Sequence, residues 1–148
     1  MKSEAETAEM PEKWRRLIGE STDNPRKVIL YFTSLAGLLR GEMAYIEKIK
    51  SVMETFCNNR DVVLWWVPCR TEGCLYQQQN PALFEAFHHL CEEYRKAGWG
   101  IYDDSGDYAR AVVHSDAMYG DYGEVYELYR QSGKPVMIQD ETLCGQSM

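Results

Sequence analysis

Short apolar segments alternate with helical segments along this 148-residue chain, and this alternation limits the fold more than any other feature. The apolar segments begin near residues 27, 62, 99, 117 and 136. Two of them, residues 28–32 and 62–67, are unbroken apolar runs, as expected for strands buried on both faces of a sheet. Strands separated by helices form parallel sheets through right-handed crossovers. We therefore predict an α/β fold: a Rossmann-like open parallel sheet of about five strands in the order 3-2-1-4-5, with helices on both faces.

Apolar side chains at helical spacing predict the longer helices. Residues 43–57 place one apolar face at Met43, Ile46, Ile49, Met53 and Phe56. A second helix begins at the cap Asn80 followed by Pro81, and ends at Gly98. Its core positions are Leu83, Phe84, Phe87, Leu90, Cys91 and Tyr94. Residues 103–105 are predicted as the acidic start of a third helix, with a metal site as the alternative.

The chain is predicted to divide into an arm and one domain. Residues 1–26 form an N-terminal arm or linker with a short amphipathic helix, and residues 27–148 form the Rossmann-like domain. Trp14, Leu17 and Ile18 have helical spacing, so we expect them to pack on the domain.

Charge and cysteine usage limit the partners and the compartment. The net charge of −7 argues against a nucleic-acid or anionic-membrane surface, and no apolar run is long enough for a transmembrane segment. The cysteines are five, an odd number with scattered spacing, and no export signal is visible, so we expect a cytoplasmic protein. A peripheral position at the inner membrane face remains open. Cys69 lies five residues before Cys74, and His88 and His89 lie close to Cys91. Neither cluster supplies four ligands in two tight pairs, so we predict no metal and no cofactor.

The predicted strand order places a ligand site where the chain reverses direction, between the first and fourth strands. Backbone N–H groups and the dipole at a helix N-terminus can hold an anion there. The candidate phosphate-binding residues are Thr33, Ser34 and Gly37 after the first strand, and Gly120, Asp121 and Gly123 after the fourth. The alternative is a pair of ordinary solvated loops.

Polar residues around the fourth strand have both a ligand-binding and a structural interpretation. Ser115 and Asp116 precede that strand, and Asp116 either binds a ligand sugar or closes a turn. Asp121 and Glu124 would stabilise a helix N-terminus through its dipole. His114 is the histidine nearest the predicted site, but no catalytic constellation can be assembled, so catalytic residues stay unassigned.

Five segments together resemble the carboxyl-terminal, donor-binding half of GT-B-type transferases, in particular CDP-glycerol glycerophosphotransferase-like proteins. They are KVILYFTSLAGLL, DVVLWWVP, AGWGIYDD, SDAMYGD and LYRQSGKPVMIQ, and the resemblance covers about residues 11–140. It implies a CDP-alcohol or nucleotide-sugar donor, an acceptor such as a teichoic-acid-like or capsular polymer, and an N-terminal acceptor domain as partner. The matched positions are Thr33, Ser34, Pro68, Ser115, Asp116, Gly120 and Asp121.

Two departures from the family pattern affect the phosphate contacts. Cys69 follows Pro68 where the family has a histidine, and Gly123 and Glu124 replace paired serines. A thiol is a weak hydrogen-bond donor, and a glutamate repels phosphate. We therefore expect a donor-binding domain that is inactive alone. The alternative is a degenerate Rossmann-like domain that serves as a structural or protein-interaction module. A flavodoxin- or receiver-like domain ranks last, because the first strand ends without an acidic cluster.

Overall fold

The sheet has the predicted topology. The computed structural model describes residues 10–19 and 23–139, and its five parallel strands are ordered β3-β2-β1-β4-β5. The strands are β1 (Lys27–Phe32), β2 (Val62–Val67), β3 (Ile101–Tyr102), β4 (Ala117–Gly120) and β5 (Val136–Ile138). The α/β class and the strand order are thus confirmed. β3 starts two residues later than predicted, and Trp99 packs edge-on against Tyr94 instead, with ring centroids 5.0 Å apart.

Helices cover both faces of the sheet. They are α1 (Glu12–Ile18), α2 (Leu35–Phe56), α3 (Tyr76–Gln79), α4 (Pro81–Ala97), α5 (Tyr108–His114) and α6 (Glu124–Ser132). One apolar core joins the sheet to α1, α5 and α6, and the other joins it to α2 and α4. Successive strand residues point to opposite faces, so the neighbours Trp65 and Trp66 are both fully buried, one in each core.

Two predictions from local sequence signals are confirmed: the ends of α4, and the packing of α1 on the domain. The Asn80 side chain accepts a hydrogen bond from the Leu83 N–H at 3.3 Å, and Gly98 adopts the left-handed conformation (φ 76°) that ends the helix. The predicted core stripe of α4 is buried throughout. Trp14 packs edge-on against Trp65 at 5.1 Å, which confirms that the arm helix packs on the domain.

Helix α2 begins at Leu35, eight residues before the predicted start, and it is broken at Glu42. Ser34 caps it by accepting a hydrogen bond from the Gly37 N–H at 2.9 Å. The helical periodicity does not continue through Glu42, because its dihedral angles are not helical. Met43, directly after the break, is 49% exposed, whereas Tyr45 is buried, so the predicted core role of Met43 was wrong.

Glu42 has a backbone conformation that favours glycine (φ 54°, ψ −133°), and its side chain is exposed. Such a conformation costs about 1–3 kcal/mol in other residues, whereas glycine loses about 0.5–1 kcal/mol of extra chain entropy on folding. We expect Glu42→Gly to raise the free energy of unfolding by about 1 kcal/mol in urea denaturation. The control Glu47→Gly, at an exposed regular helical position, should lower it by about 1 kcal/mol. A loss of stability in both variants would contradict strain at Glu42.

The acidic segment after β3 does not cap a helix, so that prediction was wrong. Helix α5 starts at Tyr108, and its cap is Asp107, whose side chain accepts from the Arg110 N–H at 3.1 Å. Asp103 is only 2% exposed, and its carboxylate accepts a hydrogen bond from the buried indole N–H of Trp65 at 2.9 Å. No group of three metal-ligating side chains lies together in the part of the chain that the structure describes.

None of the helices in the described ranges is both long enough and apolar enough to span a membrane.

Candidate functional site

The loops after β1 and β4 meet at the carboxyl edge of the sheet, as the strand order requires. Asp121 lies between them and is fully buried. Its Oδ2 accepts hydrogen bonds from Ser34 N at 2.8 Å, from Ser34 Oγ at 3.0 Å and from the Tyr45 hydroxyl. Its Oδ1 accepts from Gln139 Nε2 at 2.8 Å. We call Ser34, Tyr45, Asp121 and Gln139 the switch-point cluster.

Two glycines make this cluster possible. Gly120 has φ 150°, and a Cβ there would lie 2.3 Å from the carbonyl oxygen of Phe32, so only glycine lets β4 end this close to β1. The Asp121 N–H then donates to that same oxygen at 2.9 Å, which aims the carboxylate across the end of β1. A Cβ on Gly37 would lie 2.7 Å from the Tyr45 ring. The space at Gly37 is therefore filled by Tyr45 rather than left open for a ligand.

The cluster also changes the titration of its tyrosine. Burial, followed by the nearby Asp121 charge and the hydrogen bond to it, raises the pKa of Tyr45 far above its usual range. Burial, followed by the nearby charges of Asp121 and Tyr119, raises the pKa of Tyr31, whose hydroxyl donates to Gln139 Oε1 at 2.9 Å. Both tyrosines are therefore protonated at neutral pH: Tyr45 donates to the buried carboxylate, and Tyr31 donates to the amide oxygen of Gln139.

Thr33, Pro68 and Cys69 lie at the same edge, but none presents a strong phosphate donor. Thr33 is fully buried, and its Oγ1 accepts from the Trp66 indole N–H at 3.1 Å. Pro68 is buried as well. Burial raises the pKa of the half-buried Cys69 thiol to about 12, so the thiol is neutral at physiological pH.

Gly123 is the partly exposed residue just before helix α6, and its φ of 163° is extended backbone that any residue adopts. A Cβ there would lie 3.0 Å from the Phe32 ring. Glu124 follows it on the surface and, with Glu127, makes the first turn of α6 acidic. The carboxylates occupy the helix end where an anion would otherwise approach.

Ser115, Asp116 and His114 lie at the opposite edge of the sheet. They precede β4 rather than follow it, and in a parallel sheet that places them at the amino edge. Asp116 Oδ2 accepts from the Val28 N–H at 2.8 Å. The His114 ring stacks on Trp65, with centroids 6.1 Å apart. The structure therefore does not bring these residues to the other predicted ones.

Lys134 holds this amino edge together. Its Nζ donates to the carbonyl oxygens of Val112 and Ser115, each at 2.6 Å, and so closes the C-terminal end of α5. Burial lowers the pKa of its ammonium.

We expect Lys134→Met to lower the free energy of unfolding by about 2 kcal/mol, because two carbonyls lose a charged donor. Lys96→Met, at an exposed position on α4, is the control and should stay within about 0.5 kcal/mol of the wild type in urea denaturation. Equal free energies of unfolding for the two variants would show that the contacts of Lys134 with these carbonyls do not stabilise the fold.

A second concavity opens at the carboxyl ends of β2 and β3. It has a volume of about 90 Å³ and is lined by residues 68–72 together with Phe87, His88, Cys91, Tyr102 and Asp104. Of the residues predicted from sequence, it contains Pro68 and Cys69. Arg70 and Thr71 directly follow a strand, which is the signal that could have identified them. His88 comes from helix α4, and only the packing of that helix brings it to the strand ends.

Models of known protein families, curated proteins and solved structures all gave no match to this chain. The carboxyl edge combines a buried, fully bonded carboxylate with a small polar cavity two strands away. The polar groups of this arrangement can bind a polar ligand by hydrogen bonds.

Proposed function

We propose that this chain is a nucleotide-donor-binding domain of a glycosyl- or glycerophosphotransferase-like protein. The donor is a CDP-alcohol or a nucleotide sugar. Transfer also needs an acceptor-binding domain or partner, so this domain binds its donor without catalysing transfer alone. The proposed location is the cytosol, and the free thiols of Cys57, Cys69, Cys74 and Cys91 agree with a reducing compartment.

The contact between Ser34 and Asp121 carries this proposal. It joins the two loops that flank the topological switch point, where ligands of open α/β sheets bind. Because Asp121 is held by four donors of the fold itself, it fixes the backbone of the Ser34 loop before any ligand arrives. The family resemblance over residues 11–140 adds support from the sequence.

Calorimetry and amide chemical-shift mapping with CDP, CDP-glycerol, UDP and UDP-sugars test the proposal. We expect binding with shifts centred on Ser34 and Gly123, on either side of the switch point. Asp116→Ala, at the opposite edge of the sheet, should bind equally well. The proposal fails if none of these ligands gives heat or shifts at millimolar concentration.

A second candidate function is a structural or protein-interaction module. One observation favours it: both carboxylate oxygens of Asp121 already accept hydrogen bonds from the chain's own groups, so they need no ligand as a partner. The neutral Cys69 thiol and the acidic first turn of α6 also disfavour phosphate.

The triple variant Cys69→His, Gly123→Ser, Glu124→Ser separates the two candidates. The extended backbone at Gly123 accepts serine if the Phe32 ring moves by a few tenths of an ångström. Binding by the wild type supports the donor-binding domain. Binding by the triple variant alone supports a module that has lost its ligand. Absence of binding in both, with the fold preserved by circular dichroism, counts against a nucleotide site at this edge.

A further inference from the structure

A pocket opens at the amino edge of the sheet, opposite the switch-point cluster. Of its walls, Leu17 and Arg26 precede β1, residues 57–60 precede β2, and Trp99 precedes β3. We call it the amino-edge pocket. Its volume of about 500 Å³ is within the range of small-molecule sites. None of the described residues that line it is acidic, although the whole chain has a net charge of −7.

Arg26 fixes the walls of this pocket. Its Nη1 donates to the Leu17 carbonyl at 3.2 Å. Its Nη2 donates to the carbonyls of Asn59 at 2.6 Å and Val62 at 2.7 Å. Arg26 thereby ties the end of α1 to the loop between α2 and β2. Because these walls are already held together, little chain entropy is lost when a ligand binds between them.

The free charge of the pocket is that of Arg60. Helices α1 and α2 end at this edge, and a helix C-terminus carries a partial negative charge. Arg26 opposes that charge, because its guanidinium is bound to carbonyls at the end of α1 and in the following loop. Arg60 is exposed, and it makes no ion pair or side-chain hydrogen bond within the described ranges. Its guanidinium is therefore available to an anionic group.

Neutral donors and apolar surface line the same pocket. Asn59 Oδ1 accepts from the N–H groups of Asp61 at 2.8 Å and Val62 at 3.0 Å, which leaves the Nδ2 of Asn59 as a donor. The exposed amide of Asn58 has no hydrogen-bond partner among the residues that the structure describes. The half-buried Trp99 ring adds a flat apolar wall. The pocket thus combines a cation, amide donors and an aromatic ring.

We propose that the amino-edge pocket binds a small organic anion with a flat apolar body. Arg60 donates to the anionic group, and the Asn58 amide is a second donor. The apolar body lies against Trp99 and Leu17, where burial and ring contact add affinity. A carboxylate and a phosphate share this chemistry, and a pocket of about 500 Å³ holds either one on an aromatic ring. The site is independent of the proposed function, because it lies at the opposite edge of the sheet.

Phenylacetate and phenyl phosphate are the probes, and phenylacetamide is the neutral counterpart of phenylacetate. Calorimetry with the intact chain measures affinity, and the shifts of amides 57–60 and of the Trp99 indole N–H locate the ligand. We expect at least one of the two acids to bind with millimolar or tighter affinity. Phenylacetamide should bind about tenfold more weakly than phenylacetate, because it lacks the charge. The acid that binds more tightly identifies the anionic group.

Substitutions test the two halves of the pocket. Arg60→Ala should weaken binding of the tighter acid about tenfold, the effect of one charge-assisted hydrogen bond. Trp99→Leu should weaken it about fivefold through the lost ring contact. The matched control is Arg130→Ala on α6, an exposed arginine paired with Glu127 at 3.0 Å, and it should leave binding unchanged. Circular dichroism checks the fold, and the exposed position of Arg60 keeps the test decisive if Trp99→Leu unfolds.

Failure of both acids to bind the wild type overturns the pocket assignment. Equal affinity of the wild type and Arg60→Ala, or shifts at the switch point instead of residues 57–60, overturns it as well. CDP-glycerol separates this inference from the proposed function, because its shifts are expected at Ser34 and should persist in Arg60→Ala. Acid binding without CDP-glycerol binding supports the pocket and overturns the donor-binding function. CDP-glycerol binding without acid binding does the reverse.

Discussion

Replacing Asp121 with alanine is expected to lower the free energy of unfolding by about 4 kcal/mol. The substitution leaves four donors without their acceptor: the N–H and hydroxyl of Ser34, the Tyr45 hydroxyl and the Gln139 amide. Each buried donor left unpaired costs about 1–3 kcal/mol, and partial hydration of the new space recovers some of that cost.

Urea denaturation followed by circular dichroism measures this effect, and Asp116→Ala is the matched control. Asp116 is also an aspartate beside an end of β4, but it is exposed, and its carboxylate accepts from one strand N–H, that of Val28. We expect the control to lose about 1 kcal/mol. Asp121→Asn should fall between the two, because its amide retains one acceptor oxygen for the four donors. Equal losses for Asp121→Ala and Asp116→Ala would show that the switch-point cluster is not the main polar contact.

The second large effect is expected at alkaline pH. Tyr31, Tyr45 and Tyr94 are buried, and desolvation is the largest cause that raises the pKa of each above the usual value near 10. A raised pKa in the folded state means that the fold binds the proton more tightly than the unfolded chain does. The resulting stability is fully present below about pH 10 and is lost as the pH rises further. Each tyrosine contributes a slope of about 1.4 kcal/mol per pH unit, so the three together give about 4 kcal/mol per unit.

The thiols of Cys69 and Cys91 start this loss earlier. Burial raises the pKa of each from 9.0 to about 12, so their contribution begins to fall near pH 9. At about 1.4 kcal/mol per pH unit for each thiol, we expect stability to fall by about 3 kcal/mol per unit from pH 9, and faster above pH 10, where the tyrosines add to the loss.

Urea denaturation at several pH values, together with the absorbance of tyrosinate, measures these slopes. Tyr94→Phe removes one titrating group and the hydrogen bond to the Leu64 carbonyl at 2.9 Å. This variant should lose about 1 kcal/mol at neutral pH and should have a slope shallower by about 1.4 kcal/mol per unit above pH 10. Tyr76→Phe, at a side chain 53% exposed, is the control and should keep the wild-type slope. The expectation would be contradicted if the tyrosinate absorbance showed that every tyrosine ionises at a lower pH than the pH at which the protein unfolds.

Local patterns were sufficient for most of the architecture. The unbroken apolar runs in β1 and β2 indicated strands covered on both faces, because only a central strand of a parallel sheet buries every side chain. The Asn80 cap and the glycine at the end of α4 act within one helical turn, so they could be placed from sequence. The break at Glu42 carried no such signal, since glutamate favours a continuous helix.

The sequence by itself determined which loops meet: it placed Ser34 and Asp121 after strands that the parallel order makes neighbours, and the structure joins them. It could not determine what fills the space between those loops. Tyr45 reaches it from the helical turn that follows the break at Glu42, and Gln139 reaches it from the residue after β5. These two residues lie 76 and 18 positions from Asp121 in the sequence. Likewise, only the packing of α4 brings His88 to the strand ends. Periodicity and capping depend on neighbours within a few residues, whereas the partner of a buried polar group depends on the packing of the whole chain.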